Sequence, residues 1–446
     1  MADKHSCGVG LIGAGVVGGG VAGLLLSRRE LLARRTGIDI ELLAVADVDA
    51  ARAAALGVPE KKILADYRLL FDNPEIKVVV ELIGGVGVAA NAILDAIEAG
   101  RHVVTANKAL LAKRGREIFA KADKKGVIVA FEAAVAGGIP LILALRDGLV
   151  ANRMQSLLGI VNGTCNYILS QMAASGRPFA ECLAEAQRLG FAEADPSADI
   201  DGLDSGHKLA LLSALAFETW IDFPSLHIEG IRDIRDEDIR ITGNLGYTLK
   251  LLGVIRPEQP PEIIAKGSGG GSGRLFLSVH PALLRRGDPL AGVSGSLNAV
   301  KTEGDAVMES MFCGRGAGRY PTASAVVSDI ALAASAAVFG GRGPRWSPPE
   351  ENAYSLAPIA DYRTRYYLRF TVLDAPGVLG RITTVLGRNQ VSIAAAHQFE
   401  GDHPDGAASV CIFSHVAREG DILASLAEIG GMDFLRGKPA LIRIEE

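Results

Sequence analysis

An uncharged, glycine-rich segment near the start of the chain constrains its fold more than any other feature. Residues Cys7 to Ser27 carry no charge and hold eight glycines, clustered between Gly8 and Gly23. Length alone would allow a membrane span or a signal peptide. The glycines instead favour a buried strand, Cys7 to Ile12, then a tight turn and a long helix, Val16 to Arg35. We therefore expect an α/β domain and no targeting or transmembrane segment.

The alternation of strands and helices continues through the first third of the chain. Apolar runs predict strands at Ile40 to Asp47, Val78 to Leu82, His102 to Asn107 and Val127 to Phe131, with helices at Ala89 to Ala99 and Ala109 to Lys124. Strands that alternate with helices indicate a parallel sheet with right-handed crossovers. The expected fold is a Rossmann-like, doubly wound parallel sheet.

Length and composition limit the possible partners. The 446 residues suggest two or three domains. A net charge of −5 and an aromatic content of 5% give no reason to expect nucleic acid or a membrane surface as a partner. The five cysteines are widely spaced and include no CxxC pair, which is typical of reduced thiols in the cytoplasm.

The later regions differ in pattern from the first. A mixture of helices and later strands, at Leu157 to Val161, Leu275 to His280 and Asn298 to Thr302, indicates an α+β domain with an open sheet, which invites dimerisation. Lys266 to Gly273 reads as a flexible loop. The last 85 residues follow the β-α-β-β-α-β order of a ferredoxin-like domain. The predicted division is a dinucleotide-binding domain at 1–137, completed by the apolar helix 322–340; a catalytic, substrate and dimerisation domain at 138–321; a linker at 342–361; and a regulatory domain at 362–446.

The turn after the first strand matches GxGxxG, from Gly13 to Gly18. Between a strand and a helix, such glycines let a pyrophosphate approach the backbone and the helix N-terminus. Asp47 ends the second strand, where an acid binds adenosine ribose hydroxyls. The acid favours NAD over NADP, although Arg52 and Lys61 or Lys62 could still reach a phosphate.

A cluster of acids lies between Gly190 and Lys208 and leads into an apolar helix. Its carboxylates are Glu193, Asp195, Asp199, Asp201 and Asp204. Asp204 and Lys208 are four residues apart and so share one helix face, where a surface pair would contribute only about 0.3–0.5 kcal/mol. The crowded acids and the apolar residues that follow favour a pocket for an ammonium group, in which Lys208 donates a proton.

Lys108 and Glu132 are further candidates for binding a ligand or a cation, but a purely structural role explains each of them equally well or better. Lys108 follows a parallel strand, where ligands collect, but a lysine that begins a helix is usually solvated. Glu132 begins the loop EAAVAGGIP, where a carboxylate and backbone oxygens could coordinate a hard cation. A structural turn explains that loop equally well.

These residues resemble homoserine dehydrogenase along nearly the whole chain. The resemblance rests on Ala186 through Lys208, on Asn162-Gly163-Thr164 with Asn166, and on the block from Gly314 to Asp329. The tail carries Asp374-Ala-Pro-Gly-Val-Leu379 after a strand and resembles an ACT domain. The expected form is the monofunctional one, without an amino-terminal kinase domain.

The resemblance implies an activity and a set of site residues. The expected reaction interconverts L-homoserine and L-aspartate 4-semialdehyde with NAD or NADP, in threonine, methionine and isoleucine biosynthesis, under feedback by L-threonine. Catalytic roles are implied for Lys208 and Lys108, and substrate binding for Glu193, Asp199 and Asp204. A structural Na+ site is implied at Glu132, Val135, Gly137 and Ile139, mostly through backbone oxygens. The implied cofactor-binding residues are Gly13, Gly15, Val16, Val17, Gly18, Asp47, Thr105, Lys108, Gly190, Gly316 and Gly318. A homodimer or homotetramer is expected.

Three alternatives stand beside this hypothesis. A phosphoglycerate dehydrogenase would carry a similar ACT tail, but its chemistry needs an Arg/His pair. An aspartate-semialdehyde dehydrogenase needs a nucleophilic cysteine, for which Cys165 is the obvious position. A dinucleotide and amino-acid sensor without turnover would need no proton donor, and the Asp204/Lys208 pair argues against it.

Overall fold

The computed structural model describes residues 5–259, 273–340, 346–399 and 407–445. The chain divides into two compact units. The first unit comprises Met1–Met154, His207–Ser225 and Glu303–Ala353, and the second comprises Gln155–Gly206, Leu226–Thr302 and Tyr354–Glu446. Most of the loop predicted at Lys266 to Gly273 lies outside the described residues.

The strands of the described residues are numbered in chain order. They are β1 His5–Ile12, β2 Ile38–Ala46, β3 Ile63–Leu64, β4 Ile76–Glu81, β5 His102–Thr105, β6 Val129–Ala130, β7 Met154–Ile160, β8 His227–Ile228, β9 Tyr247–Pro257, β10 Gly273–Arg285, β11 Leu297–Gly304, β12 Met308–Arg315, β13 Tyr354–Leu356, β14 Arg363–Leu373, β15 Ile393–Phe399, β16 Ala407–Ser414, β17 Ala417–Arg418 and β18 Ala440–Glu445.

The helices are numbered in the same way. They are α1 Val16–Ser27, α2 Arg29–Thr36, α3 Ala50–Ala54, α4 Val88–Glu98, α5 Lys108–Lys125, α6 Leu141–Leu143, α7 Gly163–Ser175, α8 Phe179–Arg188, α9 Ser197–Ile200, α10 Leu203–Ala216, α11 Asp236–Asn244, α12 Arg319–Phe339, α13 Val378–Arg388 and α14 Glu419–Gly430.

The first unit is built on a parallel sheet with the strand order β3-β2-β1-β4-β5-β6. The order reverses at β1, so the carboxyl ends of β1 and β4 flank a topological switch point, where α/β sheets bind ligands. Strand β4 is buried except at Lys77, and β1 is buried from Val9 to Ile12, because helices cover both faces of the sheet. The Rossmann-like fold predicted from the sequence is confirmed.

The helix predicted from Val16 to Arg35 is broken in the structure. It ends at Ser27, and a second helix starts at Arg29, because Arg28 leaves helical geometry with φ −120° and ψ 17°. The apolar α1 packs inside the unit, whereas α2 has no buried residue. The bend therefore lets the charged second half follow the protein surface, and the prediction of one long helix was wrong.

Helix α12 is long and apolar enough to cross a membrane by length and composition. Just over half of its most apolar stretch, 56%, is buried within the protein. Its first turns pack against α1, where a Cβ at Gly20 would lie only 2.9 Å from the Cβ of Ala323. This close packing accounts for the apolar sequence as that of a core helix.

The second unit contains a mixed sheet with the strand order β11-β7-β9-β10-β18-β14-β16-β15. Strand β9 was missed from the sequence, although it pairs along its whole length with β10. Its run of alternating and consecutive apolar residues resembled a helix segment, and only the long antiparallel partner decides between the two. Strand β13, inside the predicted linker, also pairs with β10.

The C-terminal part of the second unit has the predicted β-α-β-β-α-β order. Strand β14 lies between β16 and β18 and is antiparallel to both. Helices α13 and α14 cover one face of these strands, and Phe370 and Ile382 are fully buried in the core between them. Strand β18 also pairs in parallel with β10, from Ala282 opposite Arg443 to Leu284 opposite Glu445. The terminal domain thus continues the sheet of the middle region.

Candidate active site

The glycine turn after β1 has the geometry of an anion cradle. Gly13 has φ +99°, and a Cβ at Gly18 would lie 1.9 Å from the Gly13 carbonyl oxygen, so both positions require glycine. No atom lies within 4 Å of a Cβ built at Gly15, which leaves open space above the turn. Helix α1 starts at Val16, and its N-cap Gly15 has no side chain to occupy the first amides. Together they offer amide donors and room for a pyrophosphate.

Asp47 lies beside this turn, after the end of β2. One carboxylate oxygen accepts a hydrogen bond of 2.6 Å from the Ala14 amide, and the other accepts one of 2.8 Å from the Asp49 amide. Asp47 therefore fixes the turn, and its predicted contact with a ribose stays a prediction. The sequence indicated only the second of these roles.

Exposed apolar side chains cluster at the same edge of the sheet. Val16 is 72% exposed, Val48 is 96% exposed and Ile83 is 45% exposed, and they follow β1, β2 and β4. Each follows the carboxyl end of a parallel strand, and α/β sheets bind ligands outside these ends. The carboxyl edge of this sheet is thus the candidate dinucleotide site.

A buried carboxylate, missed from the sequence, connects the loops after β4 and β5. Glu81 accepts hydrogen bonds from the amides of Ile83 and Gly84, at 2.8 Å and 3.0 Å, and from the Thr105 hydroxyl at 2.7 Å. The Asn107 side chain closes the network by donating to the Gly85 carbonyl oxygen. An acid that ends the apolar run IKVVVE was the available signal in the sequence.

Lys108 is the first residue of α5 and follows the Glu81 network directly. The N-cap Asn107 accepts a hydrogen bond from the Leu110 amide, which fixes the direction of the first turn. Lys108 is partly exposed. The structure therefore places this lysine at the carboxyl end of β5, within the first unit.

In the second unit, Asp199 and Asp204 meet at one side chain. The Asn162 side-chain amide donates hydrogen bonds to Asp199 Oδ1 at 2.7 Å and to Asp204 Oδ2 at 3.0 Å. The Cys165 thiol contacts the Asp199 carbonyl oxygen at 3.2 Å. Two of the predicted acids are thus brought together, and Asn162, which was predicted only as part of a matching block, is what joins them.

The other acids of the cluster have different surroundings. Glu193 and Asp195 are exposed, and Asp195 accepts a hydrogen bond from the Ser197 amide. Asp201 pairs with Arg232, which also bonds the Ser197 hydroxyl. Asp201 therefore braces its own loop, and of the three acids predicted to bind substrate only Asp199 and Asp204 share a hydrogen-bond donor here.

Asp204 and Lys208 lie one turn apart on α10, and each is only 9% exposed. An exposed surface pair, the structural alternative in the sequence, is therefore excluded. A lysine kept from solvent beside a carboxylate costs free energy unless it is paired. Such an arrangement suits a charged proton donor.

Two glycines expected near the cofactor also show special backbone geometry. Gly190 follows α8 with φ +76°, and Gly318 is the N-cap of α12 with φ +118°. Both values favour glycine over any other residue. Gly316 lies beside Gly137, where a Cβ would come within 3.3 Å of the Gly316 carbonyl oxygen.

Comparisons with known proteins agree along the whole chain. Residues 140–331 match the model for homoserine dehydrogenase, residues 13–132 the model for the homoserine dehydrogenase NAD-binding domain, and residues 366–431 the ACT domain. Homoserine dehydrogenase of Neisseria gonorrhoeae is 43% identical, over 98% of each chain. That of Pseudomonas aeruginosa is 42% identical, over 99% of this chain and 98% of the relative.

The chain belongs to the homoserine dehydrogenase family. It is accordingly an NAD(P)-dependent oxidoreductase that acts on a CH–OH group. A crystal structure of homoserine dehydrogenase from Thiobacillus denitrificans superposes with a TM-score of 0.88 and 42% identity, over 99% of this chain and 98% of that one.

Membership of the homoserine dehydrogenase family removes the three alternatives. Cys165, the candidate nucleophile of a semialdehyde dehydrogenase, is fully buried and contacts a backbone carbonyl. All five cysteines are free, and only Cys313 is exposed. The four buried cysteines, Cys165 among them, therefore act as small apolar side chains of the core.

The loop implied as a sodium site carries the buried Glu132, and a second buried carboxyl group, Asp329 of α12, lies against it. The Glu132 carboxylate accepts hydrogen bonds of 2.8 Å from the amides of Ile142 and Leu143, and the Glu132 amide donates to Asp329 at 2.8 Å. Burial raises the pKa of Glu132, and burial with the neighbouring Glu132 raises that of Asp329. The guanidinium of Arg146 offsets part of this negative charge, and the two carboxyl groups together still exceed it by one, which leaves room for a cation.

The backbone of that loop is also partly committed. The Ile139 carbonyl oxygen accepts a hydrogen bond of 2.8 Å from the Leu141 amide, and Ala136 adopts φ +50°. A left-handed alanine is uncommon and needs support from its surroundings. Gly138 supplies some of it by donating to the Arg315 carbonyl oxygen at 2.9 Å.

Proposed function

We propose that this protein interconverts L-homoserine and L-aspartate 4-semialdehyde, with Lys208 as the proton donor. A bound NAD or NADP supplies or accepts the hydride at its nicotinamide ring. In the reducing direction, Lys208 gives its proton to the oxygen of the new hydroxyl group; in the oxidising direction, it takes that proton back. The observation that carries the proposal is the buried Asp204/Lys208 pair on α10.

The remaining roles divide between anchoring and orientation. We assign Asp199, Asp204 and Glu193 to the substrate α-ammonium group, because carboxylates offer charge-assisted hydrogen bonds to it. Lys108 helps to hold the reacting oxygen and the nicotinamide. Alignment of this kind supplies much of the rate of a hydride transfer.

The dinucleotide is proposed to bind Gly13, Gly15, Val16, Val17 and Gly18 through its pyrophosphate, Asp47 through its ribose, and Thr105, Gly190, Gly316 and Gly318 elsewhere. Arg52, one candidate for a 2′-phosphate, pairs with Asp49 at 3.3 Å. A cation paired in this way is less ready to bind a phosphate. NAD is therefore the favoured cofactor, and initial rates with both cofactors test this choice.

A sodium ion is proposed at Glu132, Val135, Gly137 and Ile139. The buried Glu132 and Asp329 carboxyls support it, and so does the close approach of Gly137 to Gly316. The ion would stabilise the junction between this loop and the 314–318 segment. Replacing sodium with a large organic cation is expected to lower the melting temperature.

L-Threonine is proposed as an effector of the ACT domain. A cavity of about 460 Å³ lies at the first strand–helix turn, lined by residues Val372 to Val378 together with Leu379, Gln398 and Val410. Its volume suits a small amino acid, and Asp374 and Gln398 offer polar partners at the rim.

A continuous set of contacts supports an effect of the ACT domain on the substrate acids. Arg443 of β18 donates two hydrogen bonds to Glu229, at 2.8 Å and 2.9 Å. Two residues later, the Ile231 amide donates to the Ile200 carbonyl oxygen at 2.8 Å. Ile200 directly follows Asp199. A shift of β18 would therefore reach the turn that holds Asp199.

The experiment that tests the proposed function is initial-rate kinetics with L-homoserine, measured by nicotinamide absorbance. Rates are compared with NAD and NADP, with and without L-threonine, and with and without sodium. We expect homoserine-dependent reduction of the cofactor and slower rates with threonine. A purified, folded protein that leaves the cofactor oxidised in the presence of homoserine would contradict the proposal.

A homodimer or homotetramer is also proposed. Analytical ultracentrifugation measures the oligomeric state.

A further inference from the structure

Asn162 occupies a position that joins three elements of the second unit. It follows β7, it is the N-cap of α7, and it is only 5% exposed. Its Oδ1 accepts a hydrogen bond of 2.8 Å from the Cys165 amide. Its Nδ2 donates to one oxygen of Asp199 and one oxygen of Asp204. The first acid belongs to α9 and the second to the first turn of α10.

The contacts leave one orientation for the Asn162 amide. Reversing it would turn Oδ1 towards two carboxylate oxygens and Nδ2 towards an amide donor, which would lose three hydrogen bonds. The cap at Cys165 therefore fixes the direction in which the two N–H groups point. Each N–H serves one carboxylate.

The two carboxylates that share this donor repel each other. Like charges about 4 Å apart near a protein surface repel by about 4 kcal/mol. The side-chain amide offsets part of that repulsion without a charge of its own, and no change of pH removes it. It uses only one oxygen of each acid.

We propose that Asn162 is a positioning residue for substrate binding, which holds the carboxylates of Asp199 and Asp204 together so that both act on the α-ammonium group of L-homoserine. This inference rests on the proposed function. The ammonium group takes no part in hydride transfer, so its anchoring is equal in the ground state and the transition state. Loss of the anchoring should therefore raise KM and change kcat little.

Three substitutions separate this role from helix capping. Asn162→Ser and Asn162→Asp both keep an N-cap acceptor, since serine and aspartate cap about as well as asparagine. Neither offers two N–H donors to the acids. Asn162→Ala removes the cap as well. If Asn162 only caps α7, activity will follow stability, and the serine and aspartate variants will behave like the unmodified protein.

The test measures steady-state kinetics, melting temperature and dinucleotide affinity for the three variants. We expect KM for L-homoserine to rise about ten- to hundredfold in all three, as the loss of hydrogen bonds to charged groups implies. Melting temperature should fall further for alanine than for serine, because both lose the shared donor of the two acids but only alanine also loses the cap. Dinucleotide affinity should stay unchanged. A wild-type kcat/KM in either the serine or the aspartate variant would overturn the inference.

A second readout separates this inference from the proposed function. Calorimetric titration measures L-homoserine binding without turnover. If the unmodified protein binds L-homoserine and Asn162→Ser binds it more weakly, the positioning role of Asn162 is supported even if no cofactor is reduced. Equal affinity of both proteins for L-homoserine would overturn the positioning role of Asn162. An unmodified protein that binds L-homoserine but is inactive would count against the proposed function alone.

Discussion

At the scale of single residues, several polar side chains of this protein use both of their ends. Asp47 holds the amides of Ala14 and Asp49, and Asn162 caps a helix while it holds two acids. A sequence pattern shows what a side chain can do but not what faces it. Lys208 could be predicted because its neighbours in the chain are acids, whereas Asn162 contacts residues about 40 positions away.

Two glycines of α1 provide a matched test of the dinucleotide turn. A Cβ at Gly18 would lie 1.9 Å from the Gly13 carbonyl oxygen, whereas nothing lies within 4 Å of one at Gly23. Gly18→Ala is expected to weaken dinucleotide binding at least tenfold, because the turn must open. Gly23→Ala should keep binding and stabilise the helix by up to about 1 kcal/mol. Fluorescence titration of the dinucleotide checks the first effect, and equal affinities would contradict it.

Lys250 predicts a pH dependence of stability. Its ammonium group is buried and donates to Asn166 Oδ1 at 3.0 Å and to the Val293 carbonyl oxygen. Burial lowers its pKa from 10.5 to about 8. Between these values the unfolded chain binds more protons, so the stability of the unmodified protein rises with pH there.

Lys250→Met removes that titration. Urea denaturation across this pH window should show the unmodified protein gaining stability relative to the variant as pH rises. The lost hydrogen bonds add an offset that does not vary with pH. A difference that stays flat through the window would show that Lys250 titrates normally.

At the scale of elements, the sequence located most of the strands within a few residues, whereas helices α7, α8 and α11 were not predicted. Hydrophobic runs bounded by glycine or charge were sufficient for β1, β4, α5 and the whole ACT order. The break between α1 and α2 was missed because periodicity continues across Arg28, and only burial distinguishes the two halves. Strand β9 was missed because its mainly apolar run does not by itself distinguish a strand from a helix.

The buried ion pair between Arg369 of β14 and Asp238 of α11 tests how much a contact between two elements contributes to stability. Arg369 and Asp238 are almost wholly buried and form two hydrogen bonds, at 2.6 Å and 3.0 Å. Arg369→Leu removes the charged partner of Asp238 and leaves it, within the described residues, only the Tyr367 hydroxyl at 3.1 Å and the Arg235 amide at 3.2 Å. The unpaired buried charge should cost about 3–5 kcal/mol of unfolding free energy.

The control is the exposed pair Arg381–Asp433 of the same domain, where the side chains are 51% and 82% exposed. Arg381→Leu should change stability by less than about 1 kcal/mol. Denaturant unfolding measures both variants. Similar losses in the two would mean that burial does not decide the strength of these pairs.

At the scale of the whole molecule, the ACT domain is built into the second unit. Strand β18 extends the middle sheet through β10, and its Arg443 is bound by Glu229 and Glu419. The domain order was predictable from sequence. The shared sheet was not, because pairing between β10 and β18 leaves no mark in either strand.

Glu229→Gln tests whether the contact between Arg443 of β18 and Glu229 influences the turn that holds Asp199. The change weakens the bonds to Arg443 and should raise the KM for homoserine several-fold, because the Ile231–Ile200 hydrogen bond loosens. Lys438→Met breaks the exposed pair with Asp233, 81% and 77% exposed, and should leave the KM unchanged. Steady-state kinetics of the two variants, measured under the same conditions, compare their KM values for homoserine. An unchanged KM in Glu229→Gln would show that the contact between Arg443 and Glu229 has only a structural role.

The measurement that bears most directly on the whole account is the turnover of Lys208→Ala beside Lys113→Ala, an exposed lysine of α5. Both variants should fold and bind the dinucleotide with unchanged affinity. We expect Lys208→Ala to lose at least a hundredfold in kcat, since general acid catalysis typically contributes about 10²–10⁴-fold, while Lys113→Ala keeps full activity. A folded Lys208→Ala protein that turns homoserine over at the unmodified rate would contradict the central claim.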